Sequence, residues 1–294
     1  MIEVSGLTKR YGSTVAVDGL GFRAERGRVT GFLGPNGAGK TTTLRILLGL
    51  VRPTSGTATI GGRPYAELEE PGRAVGAVLE TTSFHPGRSG RSHLRVLAAA
   101  GGFPDARVDE LLELVGLRDA ASRRVGGYSL GMRQRLGLAA ALLGEPEVLV
   151  LDEPANGLDP EGIRWLRTLL RGEADAGRTV LVSSHVLAEL AQLADDAVIV
   201  HRGRFVTQGT VAELTARAAG GTRARSPEAE RLAAALRQRG LEARVDGEAV
   251  LTGAPPEQVG EAAAAAGVVL HELVAERASL EEAFLELTQQ EAAP

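Results

Sequence analysis

Gly34-Pro35-Asn36-Gly37-Ala38-Gly39-Lys40-Thr41-Thr42 lies between an apolar run, Val29-Thr30-Gly31-Phe32-Leu33, and a helical pattern, Thr43-Leu44-Arg45-Ile46-Leu47-Leu48. A strand, a glycine-rich turn and a helix start in that order make G-x-x-x-x-G-K-[ST] a phosphate-binding loop. The residue types follow from the chemistry. Glycines let the backbone curl until successive N–H groups converge on one oxyanion, and the helix N-terminus adds partial positive charge. Lys40 has the reach for β- and γ-phosphates, and the Thr41 hydroxyl is suited to ligate Mg²⁺. The stretch predicts a nucleoside triphosphate site on an α/β scaffold.

Composition narrows the setting. The 294 residues suffice for one large domain or two moderate ones, and 44% hydrophobic content supplies a core. The formal net charge of −4, with both signs interspersed, gives no reason to expect nucleic acid. The sequence contains no cysteine, which removes disulfides and thiolate chemistry. Met1-Ile2-Glu3-Val4 has neither the basic region nor the apolar core of a signal peptide. The longest apolar run, near Leu136 to Gly144, falls well short of the roughly 18 residues a membrane span needs. A soluble, cytoplasmic chain is expected.

Ahead of the loop, Ile2–Val4, Thr14–Val17, Gly21–Ala24 and Val29–Leu33 read as strands. Tyr11, in the first turn, is an aromatic placed to stack on a base. Val75–Leu79 reads as a buried strand ending at Glu80, and the pattern from there to about Ala141 is helical. In that stretch Leu94, Leu97 and Ala98 share one face, and Val108, Leu111, Leu112 and Val115 another. Ser129 and Gly131 open a further helix, where a serine is an ordinary cap. Val148-Leu149-Val150-Leu151 then runs into Asp152-Glu153. Adjacent acids at the end of a buried strand are costly unless they hold a cation or move protons. Asp152 suits Mg²⁺ and Glu153 a water-orienting general base. A second apolar strand, Thr179–Ser184, ends at His185, which would reach the same sheet edge and a γ-phosphate.

Phosphate loop, Ser-x-Gly cluster, Asp-Glu strand, the turn Asn156-Gly157-Leu158-Asp159-Pro160 and strand-end histidine occur in the order and spacing of an ABC-type ATPase. Over residues 2 to about 215 the chain resembles the nucleotide-binding subunit of an ABC transporter. Tyr128-Ser129-Leu130-Gly131-Met132-Arg133-Gln134-Arg135 and Ser279 to Thr288 resemble the exporter branch typified by drug-resistance and bacitracin-export ATPases. The resemblance implies a P-loop core, with a mixed sheet, an N-terminal antiparallel part and a helical subdomain. It makes Tyr11 the adenine-stacking aromatic, Gly34 to Thr42 the Walker A loop, and Asp152 and Glu153 the Walker B aspartate and catalytic glutamate. Ser129 and Gly131 match the signature that contacts ATP on the opposite subunit, Asp159 the loop that communicates across the dimer, and His185 the switch histidine.

Partners follow from the same resemblance. It implies a homodimer, or a heterodimer with a similar ATPase, and a separate multi-span membrane permease docked around Glu80 to Ala100. The chain would then sit at the cytoplasmic face of the membrane and hydrolyse ATP with Mg²⁺ to drive export, of drugs or antibiotics among other cargoes. The alternative is an ABC ATPase that remodels a ribosome or nucleic acid; one phosphate loop, no sustained heptads and no basic arm weigh against it.

Two departures from the family pattern stand out. Glu80 replaces the usual strand-end Gln, and no Gln occurs from Val51 to Arg133. A carboxylate there could meet Mg²⁺ or water but adds negative charge beside a triphosphate. Leu130 replaces the commoner glycine and so requires ordinary helix-start geometry.

Composition shifts after Leu214, which predicts domains at 1–218 and 219–294 with Ala219-Gly220-Gly221 as linker. Helices over Pro227–Arg239 and Pro256–Ala266, strands at Leu241–Val245, Ala249–Thr252 and Val268–Val274, and an amphipathic Leu280–Leu287 predict a small α+β appendage.

Overall fold

Alternating apolar and polar residues from Ile2 to Ala24 fold into one long hairpin, β1 (Ile2–Tyr11) and β2 (Thr14–Ala24). The computed structural model describes residues 1–79, 84–217 and 221–276, together with 281 and 284. Each hairpin strand outruns its expected length. Thr14–Val17 and Gly21–Ala24 are one strand, and Tyr11 ends β1 instead of lying in the turn. Register shifts between Val4 and Arg10 absorb the irregular residues, so pairing continues across segments whose alternation is broken. Val29–Leu33 (β3) is buried at every position, and Lys40–Leu47 (α1) follows the glycine-rich loop. Ser55–Ile60 (β4) pairs with β1 to complete a three-stranded antiparallel sheet.

The second sheet has six strands. After a single helical turn, Pro71–Ala74 (α2), comes Val75–Val78 (β5). The helices Gly90–Gly101 (α3), Ala106–Leu114 (α4) and Leu130–Ala141 (α5) precede Val148–Asp152 (β6). Pro160–Asp175 (α6), Thr179–Ser184 (β7), Leu187–Ala191 (α7), Asp196–His201 (β8) and Arg204–Thr210 (β9) complete this unit. The strand order is β5-β6-β7-β3-β8-β9, parallel except for the last hairpin. Strands buried on both faces read as continuous apolar runs, which is why β3, β6 and β7 were plain in the sequence. The two sheets share one core, with Phe22 stacked on Phe32 at 5.0 Å between ring centroids.

In α3, Leu94 and Ala98 are buried but Leu97 is 38% exposed, so the expected shared face is narrower than the periodicity suggested. Val108, Leu111, Leu112 and Val115 are all buried. Glu80, with residues 81–83, lies outside the described residues. Among the described residues no helix is long and apolar enough to cross a membrane.

The chain divides into two compact units, Met1–Thr210 and Val211–Pro294, a boundary earlier than the composition shift indicates. The second unit begins with Val211–Arg217 (α8) and contains Gly221–Arg225 (β10), Ala229–Gln238 (α9), Ala243–Asp246 (β11), Ala249–Thr252 (β12), Pro256–Ala266 (α10) and Glu272–Glu276 (β13). Its sheet, β11-β12-β10-β13, is fully antiparallel, and Leu232, Leu236 and Val259 from the helices meet Val250 in one core. Gly221, expected in the linker, begins a strand. Its inward residues, Thr222 and Ala224, are small, so the alternation with Arg223 and Arg225 carries little hydrophobic signal. The last strand starts at Glu272, not Val268. Ala219, Gly220 and, apart from Glu281 and Phe284, the Leu280–Leu287 stretch lie outside the described residues.

Candidate active site

Parallel pairing aligns the carboxyl ends of three strands. Leu33 of β3 pairs with Ser184 of β7, and Ser183 of β7 pairs with Asp152 of β6. The loops that follow therefore emerge side by side at one sheet edge, where open α/β sheets bind ligands. They border an open cleft of about 650 Å³ lined by Tyr11, Pro35 to Thr42, Glu153, Asn156 and His185 among others.

The loop from Gly34 winds into α1 through Gly39, whose φ of +93° is left-handed. A Cβ there would also lie 2.5 Å from the Ala16 carbonyl, so the position demands glycine twice over. Lys40, the first residue of α1, is 6% exposed. Its ammonium donates to the Gly34 carbonyl at 2.6 Å and approaches Oε1 of Glu153 at 3.4 Å. The Thr41 hydroxyl donates to Oδ2 of Asp152 at 2.9 Å. The other carboxylate oxygen, Oδ1, accepts from the Ser183 hydroxyl at 2.5 Å. Asp152 is 1% exposed, and these two bonds supply partners to both of its oxygens.

Glu153 leaves the strand with φ +51°, an uncommon conformation for a residue with a side chain. Its N–H donates to Ser183 Oγ at 3.0 Å and to the Ser183 carbonyl at 3.3 Å. Its Oε2 lies 2.9 Å from Nδ1 of His185, while Oε1 faces Lys40. A carboxylate can only accept, so the imidazole donates to Glu153 from Nδ1. A cation, a carboxylate and an imidazole thus stand in sequence at the floor of the cleft. The neighbouring hydroxyl and carboxylate oxygens of Thr41 and Asp152 are hard donors of the kind Mg²⁺ takes.

Tyr11 is 50% exposed at the rim of this cleft, and the Lys9 ammonium lies 4.8 Å from its ring centroid. Ser129 and Gly131 do not join it. They border a second cleft of about 270 Å³ with Leu130, Met132, Arg135 and the Gly157–Asp159 turn. Ser129 caps α5, accepting from the Met132 N–H at 3.2 Å, and Asp159 caps α6, accepting from the Gly162 N–H at 2.7 Å. Leu130 is an ordinary first helical residue, and its side chain covers Gly157 so closely that no Cβ would fit there. Tyr128 ahead of them is buried, its hydroxyl donating to the Ala120 carbonyl at 2.6 Å, and burial pushes its phenol pKa up. The turn after Glu153 joins the two clefts, since Asn156 lines the first and Gly157 the second.

Ser183 and Asn156 are the residues that sequence reasoning missed. Aligning the ends of the two apolar runs, Val148–Leu151 and Val180–Val182, would have set Ser183 beside Asp152.

Residues 17–156 match the ABC transporter family, and residues 220–281 match a domain of unknown function. The chain is 44% identical over 211 residues to the bacitracin transport ATP-binding protein BcrA of Bacillus licheniformis, covering 71% of this chain and 69% of that one. It is 39% identical to the daunorubicin resistance ATP-binding protein DrrA3 of Streptomyces coeruleorubidus, covering 98% of this chain and 95% of that one. A solved ATP binding subunit of an ABC transporter, 30% identical, matches 73% of this chain and 91% of its own with a TM-score of 0.67. Phosphate loop, sheet order and relatives agree: this chain belongs to the ABC transporter family, as an ATP-hydrolysing, ATP-binding transporter subunit.

Proposed function

We propose that the chain hydrolyses ATP with Mg²⁺ at the Lys40–Glu153 cleft to drive export of an antibiotic-like compound through a separate membrane-spanning protein. The observation that carries the chemistry is the convergence of Lys40, Thr41, Asp152, Glu153 and His185 at one sheet edge. In this reading the N–H groups of the 34–42 loop and Lys40 hold the β- and γ-phosphates, and Tyr11 stacks on the adenine. Thr41 and Asp152 hold Mg²⁺, which when bound offsets charge on the β- and γ-phosphate oxygens. Among the described residues no group of three or more His, Cys, Asp or Glu could cage a metal, consistent with an ion that relies on phosphates and water for its remaining ligands. Glu153 orients the attacking water and accepts its proton, while His185 fixes the carboxylate and faces the γ-phosphate. Glu80 remains a proposed additional contact to the ion, outside the described residues.

Ser129 and Gly131, in a cleft apart from Lys40, serve the ATP of a second nucleotide-binding subunit, identical or similar. This placement favours a dimer in which each ATP is held between two chains. Exposed Val96 and Leu97 on α3 give the membrane partner an apolar footing, at 45% and 38% exposure. The cargo class rests on relatives whose names refer to bacitracin transport and daunorubicin resistance.

The test is co-purification of the tagged Glu153→Gln chain with ATP from its host in mild detergent. A multi-span membrane protein in stoichiometric amount is expected. Recovery of ribosomes or nucleic acid without a membrane protein would overturn the transport reading.

A further inference from the structure

Ser183 is fully buried on β7, opposite Asp152 in the sheet register. A serine hydroxyl has one proton to donate and two lone pairs to accept with. Both functions are engaged, and their directions follow from the partners. The Glu153 N–H can only donate, so Ser183 Oγ accepts it at 3.0 Å; the hydroxyl proton then goes to Oδ1 of Asp152 at 2.5 Å. One side chain thus connects the backbone of Glu153 to the carboxylate of Asp152.

We infer that Ser183 is a positioning residue for hydrolysis, setting the carboxylate plane of Asp152 and the left-handed backbone of Glu153 together. The inference rests on the proposed roles of Asp152 and Glu153. Its physical content lies in what each contact prevents. Asp152 has two hydroxyl partners, Thr41 on Oδ2 and Ser183 on Oδ1. In the proposed reading the Thr41 oxygen is a ligand for the ion, so Ser183 is the partner left to hold the carboxylate against rotation. Outer partners of this kind fix the orientation of metal-binding carboxylates. Glu153 needs a second restraint. At φ +51° its backbone is held by the paired bonds from its N–H to Ser183, and this turn aims the side chain at His185 and Lys40. His185 lies two residues beyond Ser183, so one short segment of β7 holds Glu153 at both its backbone and its carboxylate.

The test uses the full chain as wild type, Ser183→Ala, Ser183→Thr and Glu153→Gln. Melting temperature, the affinity of a non-hydrolysable ATP analogue, Mn²⁺ affinity of that complex by electron paramagnetic resonance, and kcat and KM are measured for each. Ser183→Ala is expected to lose about 10–100-fold in kcat and in Mn²⁺ affinity, with the affinity of the metal-free analogue unchanged. Ser183→Thr, which keeps the hydroxyl, is expected to recover most of both. Wild-type kcat and Mn²⁺ affinity in Ser183→Ala would overturn the inference. So would equal losses in Ser183→Ala and Ser183→Thr that track a lowered melting temperature, the mark of a packing residue. Wild-type turnover in Glu153→Gln would remove the reading beneath the inference, whatever the Ser183 variants do.

Discussion

His185 reaches back across the sheet edge to Glu153, Nδ1 to Oε2 at 2.9 Å, while the other carboxylate oxygen of Glu153 faces Lys40 at 3.4 Å. The carboxylate is therefore held from two sides, and removing one should release it without emptying the cleft. His185→Ala is expected to lower kcat by about 10²-fold or more, the scale of a lost general acid–base function. Affinity for a non-hydrolysable ATP analogue should change far less. Steady-state kinetics beside equilibrium binding checks this; a loss confined to binding would place His185 outside the chemistry.

Lys40 serves both partners of its neighbourhood, the loop carbonyl of Gly34 and the carboxylate of Glu153. Lys40→Ala should weaken ATP by about 10–100-fold, from the roughly 1.5–3 kcal/mol that a hydrogen bond to a charged group contributes. It should also lower the melting temperature without nucleotide, because Glu153 is 9% exposed and, among the described residues, keeps His185 alone as a side-chain partner. Calorimetric titration and thermal unfolding read the two effects separately.

The legible parts of this molecule are those where chemistry and periodicity coincide. Gly34 to Thr42 announced a phosphate loop because glycine, lysine and threonine are each needed at fixed positions, and β6 announced its acids by ending an apolar run with them. Register was not legible from either strand by itself. Nothing in Thr179–Ser184 alone marks Ser183, rather than Ser184, as the neighbour of Asp152; that choice is made by parallel pairing between strands far apart in sequence. Ser129 was legible as a cap, and the folded chain sets it in a cleft apart from Lys40. The strand β10 was missed for a different reason: its buried residues are Thr222 and Ala224, too small to mark a face.

His93 gives the helical region a pH dependence whose sign can be worked out. Half-burial, and then the nearby Arg88 charge, hold its pKa below the ordinary value of 6.5; its Nδ1 has no hydrogen-bond partner among the described residues, and its ring meets Phe84 edge-on at 4.9 Å. The unfolded chain therefore binds a proton at higher pH than the folded one. This residue's contribution to stability is present above the unfolded value and lost as pH falls through the folded one. Melting temperature should fall more steeply on acidification in wild type than in His93→Gln. Parallel pH profiles of the two would show no role for His93.

Gly31 on β3 makes room for the helix that follows His185. A Cβ at Gly31 would fall within the side chain of Leu190 on α7 and come 3.4 Å from the Ala194 methyl. Leu190 is 2% exposed, seated on the bare backbone of the central strand. Gly31→Ala should overpack this contact and cost about 1–3 kcal/mol, lowering the melting temperature by several degrees. Leu190→Ala alone should cost about 2–5 kcal/mol by leaving a cavity. Together the two changes replace part of the Leu190 side chain with a methyl at the same place, so the double variant should be more stable than the sum of the single losses predicts. Denaturant unfolding of the four proteins closes this cycle. Strictly additive losses would mean that Leu190 escapes by turning to another rotamer, and that α7 does not depend on Gly31 for its seat. A favourable coupling would tie the strand that opens the phosphate loop to the helix that leads away from His185, through the one β3 position without a side chain.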